Sequence, residues 1–158
     1  MVAEPITAAH QDDMLRLLTD PLVAATLGGP PSPARVAAMI AAQSAQFDRF
    51  GYGFWVWRDK AGGDVVARGG IQHTHVGGAD EVEVGWAVAS SRWREGLATE
   101  LGAASVREAF EAHGLDDLVA FTLTDNVASR RVMEKLGMAY ERDVVHAGLP
   151  HVLYRLRR

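Results

Sequence analysis

The sequence predicts a single-domain α/β protein of the α+β kind: one central sheet of mixed strand direction, flanked by helices. Three observations carry that prediction. Helical and strand periodicities alternate along the chain in the order of a first strand, helices, an antiparallel meander, a βαβα run and a terminal hairpin. A length of 158 residues suits one hydrophobic core, so residues 1–158 are expected to form one domain. The composition, 48% hydrophobic and 23% charged, is that of an ordinary globular protein and not of a disordered one.

Taken in order, Ile6 and Thr7 suit a short first strand. Residues 8–19 carry Met14, Leu15, Leu17 and Leu18 at helical spacing, with Asp12 and Asp13 early, where a helix dipole favours acids. Gly28-Gly29-Pro30-Pro31 breaks the chain. Ser32 before Pro33 reads as an N-cap with proline at the first helical position, opening a helix through Val36, Met39, Ile40 and Phe47 to about Arg49. Residues 54–58 are aromatic and β-prone, and the AGGD stretch at 61–64 suits a hairpin turn into a strand near 65–73. After Gly77-Gly78, residues 81–88 alternate as a strand. A helix is expected over 99–113, closed by Gly114, then a strand over 118–124 and a helix over 126–136 closed by Gly137. Strands near 139–145 and 151–156 end the chain.

Sixteen Lys and Arg against 20 Asp and Glu give a net charge of −4, which argues against a protein built to neutralise nucleic-acid phosphates. Cysteine is absent, removing disulfides, thiolate metal sites and a cysteine nucleophile. No window approaches the roughly 20 apolar residues needed to cross a bilayer. The first residues have no basic start followed by a long apolar run, so the expected location is cytoplasmic, away from membranes.

The chemistry points to the connection after the strand at 81–88. Ala89 to Arg94 leads into Glu95-Gly96-Leu97-Ala98 at a helix start, where glycine permits close backbone approach and the first-turn N–H groups lack internal partners. Those donors and the helix dipole make an anion site, with Arg92 and Arg94 beside it. A loop that merely caps a helix would have the same spacing.

Two segments decide between these readings. Ser91-Arg92-Trp93-Arg94-Glu95-Gly96-Leu97-Ala98-Thr99-Glu100 resembles the coenzyme A loop of the GNAT N-acetyltransferases. Trp93 stands where that family usually has Gln or Arg, and Gly96 and Ala98 match its small positions. Trp93 followed by Gly-Leu-Ala-Thr-Glu is similar to the RimJ/RimL branch, in which Arg94 occupies a position that is often glycine. Thr124 to Met138, with Asn126, Ser129, Lys135 and Gly137, looks like the Asn-x-x-Ser-x-x-x-x-x-Lys-x-Gly motif of the same branch.

The resemblance implies acetyl-CoA as cosubstrate, a primary-amine acceptor (a protein N-terminus or a small molecule) and no metal. It implies a GNAT fold, with a mostly antiparallel sheet whose one parallel pair, 81–88 and 118–124, splays to admit the pantetheine arm. Trp93, Arg94, Glu95, Gly96, Leu97, Ala98 and Thr99 would hold the pyrophosphate. Backbone groups of Ala87 and Val88 would pair with the arm like a missing strand. Glu83 is the candidate general base, acting through a water; alternation alone leaves open a solvated charge on an edge strand. Ser129 is the candidate partner of the departing thiolate, a role for which its hydroxyl is a weak acid, and an ordinary first-turn serine is the alternative. Many GNAT enzymes carry tyrosine at the position of Met133. Asn126 would cap its helix, contact the pantetheine, or both. Arg130 and Arg131 lean toward the phosphates or onto a solvated face. Trp86 is the candidate acceptor-pocket residue beside the thioester.

His73 and His75 could point the same way from a strand, but no third metal ligand has suitable spacing. A nucleotide-binding domain lacks its Gly-x-Gly-x-x-Gly or Gly-Lys-Ser/Thr. A non-catalytic acyl-CoA-binding or protein-interaction module on the same fold is the alternative to an enzyme. A homodimer is a reasonable expectation, since open sheets often cover an edge strand with a second copy.

Overall fold

In the computed structural model, which describes residues 1–61 and 63–158, the chain forms one seven-stranded sheet with helices on both faces. The strands are β1 (Val2–Pro5), β2 (Phe54–Arg58), β3 (Val65–Val76), β4 (Ala79–Val88), β5 (Asp117–Leu123), β6 (Ala139–His146) and β7 (Leu149–Arg157), in spatial order β1-β2-β3-β4-β5-β7-β6. All neighbours are antiparallel except β4 and β5. The helices are α1 (Gln11–Thr19), α2 (Pro21–Thr26), α3 (Pro33–Phe50), α4 (Leu97–Arg107, continued by a π turn over Glu108–Ala112) and α5 (Val127–Lys135).

Local chemistry explains the boundaries. The Ser32 hydroxyl accepts from the Arg35 N–H at 3.2 Å, capping α3 with Pro33 at its first position, and Gly51 ends it in the left-handed region at φ 79°. Asp20 caps α2 through the Leu22 and Val23 N–H groups, forming a short helix that the sequence reading did not anticipate. The first strand lies earlier than expected: Thr7 precedes a 3-10 turn at Ala8–His10, and Ile6 is buried in the core beyond the strand's end. At 61–64, the Ala61 N–H bonds the Asp59 carboxylate at 2.9 Å and the Gly63 N–H bonds the Asp59 carbonyl at 3.0 Å; Gly62 lies outside the described residues.

Register assigns the two faces, because directly opposed residues of an antiparallel pair share one. Gln72 faces Glu83, Gly70 faces Gly85 and Phe54, and Arg68 faces Ala87 and Val56. This face is covered by α1–α3, with Met14, Leu17, Leu18, Val23, Val36 and Ile40 packed on Val56 and Ala87. The other face, with Ile71, Val84, Leu118 and Ala120, packs against Ala109 and Met133 on the α4 and α5 side.

Candidate active site

The parallel pair meets at one register position, Glu83 opposite Val119. Beyond it each strand stays paired only to its outer neighbour, β4 to β3 as far as Val88 and β5 to β7 as far as Leu123. The inner edges therefore diverge and leave backbone N–H and C=O groups facing a cleft, a ready template for an extended ligand. At the other end of the seam Arg155 gathers three carboxylates. It makes a bidentate pair with Glu81 at 2.7 and 3.1 Å, a bond to Glu141 at 2.5 Å and another to Asp117. These contacts raise the arginine pKa, and Arg155 holds the Glu141 carboxyl below its ordinary value.

Glu83 thus stands where the cleft opens. Its side chain lies on the α1–α3 face, and Gln72 Nε2 donates to its Oε2 at 2.7 Å. Burial pushes its pKa up, while the Gln72 bond and the charge of Arg68 pull against that. Arg68 Nε is buried without a partner, and the guanidinium carbon lies 5.3 Å from the centre of the Phe54 ring. Gly85 is required beside them: a Cβ there would lie 2.8 Å from Phe54 Cζ and 2.9 Å from Glu83 Oε1.

At the far end of β4, Ala87 and Val88 are buried, and the Trp93 indole N–H donates to the Val88 carbonyl at 2.8 Å, fastening the loop to the strand. Arg94 sits at φ 69°, a left-handed conformation that strains any residue but glycine. Glu95 follows, then Gly96 at φ 82° as the α4 N-cap, with no side chain to occupy the N–H groups of Leu97, Ala98 and Thr99. Among the described residues, and apart from its chain neighbours, nothing lies within 4 Å of a Cβ placed on Gly96. One expected contribution is absent here. Arg92 is bound to Asp59 at 2.5 Å and to Glu95 at 2.8 and 3.0 Å, so its charge is already matched, whereas Arg94 is exposed and makes no ion pair among the described residues.

Asn126 caps α5 through the Ser129 N–H at 3.2 Å and donates to Thr122 Oγ1 at 2.9 Å, tying α5 to the end of β5. Ser129 is partly exposed in that first turn. Met133 is a core residue, 1% exposed. Arg130 turns to the Thr124 carbonyl and the Tyr154 hydroxyl, while Arg131 is exposed. Trp86 is not brought to Glu83: three residues along a strand reverses the face, and the indole packs against Leu101 and Gly102 of α4. His73 is bonded to the Tyr52 hydroxyl at 2.8 Å and stacks on Phe50, and His75 pairs with Asp80. No cluster of three metal-ligating side chains occurs among the described residues.

On the Glu83 face the loop between α2 and α3 reaches the β6–β7 hairpin, where a Cβ on Gly28 would lie 2.8 Å from Leu149 Cδ1. Gln43 and Gln72, which the sequence reading passed over, also converge there. Their signal was a glutamine on the apolar stripe of α3, between Ile40 and Phe47.

A single parallel pair opening beside a glycine-capped helix start is the architecture the resemblance implies, and comparison with known proteins agrees. The acetyltransferase (GNAT) domain model matches residues 1–139. The chain belongs to the GNAT acetyltransferase family. Membership makes it an acetyltransferase domain. The uncharacterised protein YkkB of Bacillus subtilis is 28% identical over 105 residues, a stretch covering 66% of this chain and 61% of that protein. An acetyltransferase from Agrobacterium tumefaciens superposes with a TM-score of 0.85 at 22% identity, covering 99% of this chain and 90% of the other. A phosphinothricin acetyltransferase from Sinorhizobium meliloti, solved with acetyl-CoA, superposes with a TM-score of 0.76 at 16% identity, covering 99% and 87%. No helix among the described residues is long and apolar enough to cross a membrane.

Proposed function

We propose that residues 1–158 act as one cytoplasmic N-acetyltransferase domain that moves the acetyl group of acetyl-CoA directly to a primary amine. The observation that carries this reading is the position of Glu83, a carboxylate with a raised pKa at the mouth of the only parallel seam. In the reaction, Glu83 takes a proton from the incoming ammonium through a water. The freed nitrogen forms a C–N bond to the thioester carbonyl carbon, the C–S bond breaks, and the thiolate leaves. Ser129 donates a hydrogen bond to that sulfur, and the nitrogen's proton ends on the thiolate, giving amide and free thiol. A base whose pKa has moved up toward the working pH binds that proton better than an ordinary carboxylate would.

The loop from Trp93 to Thr99 takes the pyrophosphate, with the N–H groups that follow Gly96 as donors and Arg94 as the free cation. Ala87 and Val88 offer backbone groups to the pantetheine arm. The acceptor is an amine of the kind taken by the RimJ/RimL branch, a protein N-terminus or a small molecule, and the branch assignment rests on the Trp93 and Asn126–Gly137 segments.

Thermal unfolding with acetyl-CoA, coenzyme A, ATP and NAD tests the cofactor site. A ligand at 100 times its dissociation constant adds about 2.7 kcal/mol, which raises the midpoint of a domain this size by about 5–10 °C. The expected rise is confined to acetyl-CoA and coenzyme A. Thiol release with a panel of N-terminal peptides, amino acids, polyamines and aminoglycosides then identifies the acceptor. Binding with no release across the panel would leave the chain as an acyl-CoA-binding module.

A further inference from the structure

Gln43 is 4% exposed, on a helix face otherwise made of Val36 and Ile40. A buried primary amide left unpaired costs about 1–3 kcal/mol, so its partners have to be found nearby. Both ends of this one are paired, and the order of the pairs is imposed from outside. The Phe54 backbone N–H can only donate, and it donates to Gln43 Oε1 at 2.7 Å. Gln43 Nε2 is thereby the end that donates to Gln72 Oε1, at 2.5 Å. Gln72 then has only Nε2 left to present to Glu83 Oε2, at 2.7 Å. Flipping either amide would set two donors or two acceptors face to face.

We propose that Gln43 and Gln72 form a one-way amide relay that keeps Glu83 Oε2 an acceptor and leaves Oε1 as the oxygen that takes the substrate's proton. The proposal rests on the reading of Glu83 as the base. Oε1 is the oxygen over Gly85, and the absence of a side chain at that position is what leaves it room. Arg68 of β3 supplies the charged neighbour on this face, Phe54 of β2 an aromatic wall, Val119 of β5 an apolar flank, and α3 the Gln43 amide. The two glutamines are positioning residues, since each acts on the reaction through Glu83.

The test is the titration of the Glu83 carboxyl, followed by carbon-13 NMR in full-length protein labelled at glutamate and assigned with Glu83→Gln. Gln72→Leu removes the donor to Oε2 and is expected to raise the midpoint by about one pH unit, a tenfold change in the ionisation constant. Gln43→Leu leaves Gln72 in place but undirected, with an expected rise of about half as much. The acid limb of kcat/KM moves up in parallel in both variants, while the midpoint rise with coenzyme A stays at the wild-type value, showing that each variant is folded and binds cofactor. A merely structural role would lower the melting temperature and leave the titration where it was. Unchanged titration in both variants overturns the relay. A moved titration with an unmoved acid limb overturns the proton-acceptor role of Oε1, and with it the assignment of Glu83 as base.

Discussion

The seam between β4 and β5 is built in opposite ways at its two ends. At the end that starts the strands, one guanidinium on β7 holds carboxylates from β4, β5 and β6, so four strands are tied through side chains. Past Glu83 and Val119 no ladder joins the pair, and the side chains there are small, apolar or directed elsewhere. The closed end is electrostatically satisfied. The open end holds a carboxylate that burial disfavours, a buried guanidinium nitrogen with no partner, and a helix start with free N–H groups. Ion pairing is concentrated at the closed end of the seam, and unsatisfied polarity at the open one.

The largest expected effect comes from separating these ends. Glu83→Gln should lower kcat by about 10²–10³-fold while leaving the coenzyme A midpoint rise intact. The same substitution should stabilise the fold. A carboxyl whose folded pKa is raised contributes stability that is complete below its unfolded pKa and lost as pH rises through the folded value. The melting advantage of Glu83→Gln is therefore expected to grow as pH rises above the ordinary carboxylate range, and an advantage that shrinks instead would contradict the burial argument.

Breaking the closed end should do the reverse. Arg155→Leu leaves Glu81, Asp117 and Glu141 together without their cation, at an expected cost of about 3 kcal/mol, seen as a lower urea midpoint at pH 7. The sign with acid follows from Glu141, whose folded pKa is depressed. Its contribution is present above the unfolded carboxylate range and lost as pH falls through the lower folded value. The difference between wild type and Arg155→Leu should thus narrow below about pH 4.5.

Ser129→Ala is a smaller intervention, expected to reduce kcat by about tenfold, with the α5 cap intact because Asn126 bonds the Ser129 backbone and not its hydroxyl. The smallest effect has two signs in one variant. Arg94→Gly should relieve the left-handed strain, raising stability by about 1 kcal/mol, and weaken coenzyme A binding a few-fold through the lost charge, more at low salt than at high. Calorimetric titration at two ionic strengths reads both parts.

Much of the open end was legible in the sequence because its signals are local. Gly96 before Leu-Ala-Thr, Asn126 three residues before Ser129, and the alternation that carries Glu83 and Gly85 all fall within a single turn or strand. What escaped depends on pairs far apart in the chain. Arg92 reads as a free cation until Asp59, 33 residues earlier, folds against it. The relay joins Gln43 to Gln72 across 29 residues, and only the register of β3 against β4 sets Gln72 beside Glu83. Parity along β4 sets Trp86, three positions from Glu83, on the opposite face of the strand. The first strand and α2 were blurred because Pro5 and Pro21 sit inside the elements they help to delimit.

Gly28 and Leu149 bring the α2–α3 loop against the β6–β7 hairpin, at a point where the backbone, with φ 84°, suits glycine alone. Among the described residues, no hydrogen bond or ion pair joins the α2–α3 loop to the β6–β7 hairpin, and the leucine at the approach is itself 37% exposed. An apolar contact with the end of one such side chain contributes about 1 kcal/mol. Parting the two segments would therefore break no hydrogen bond between them, whereas any side chain at position 28 would push them apart.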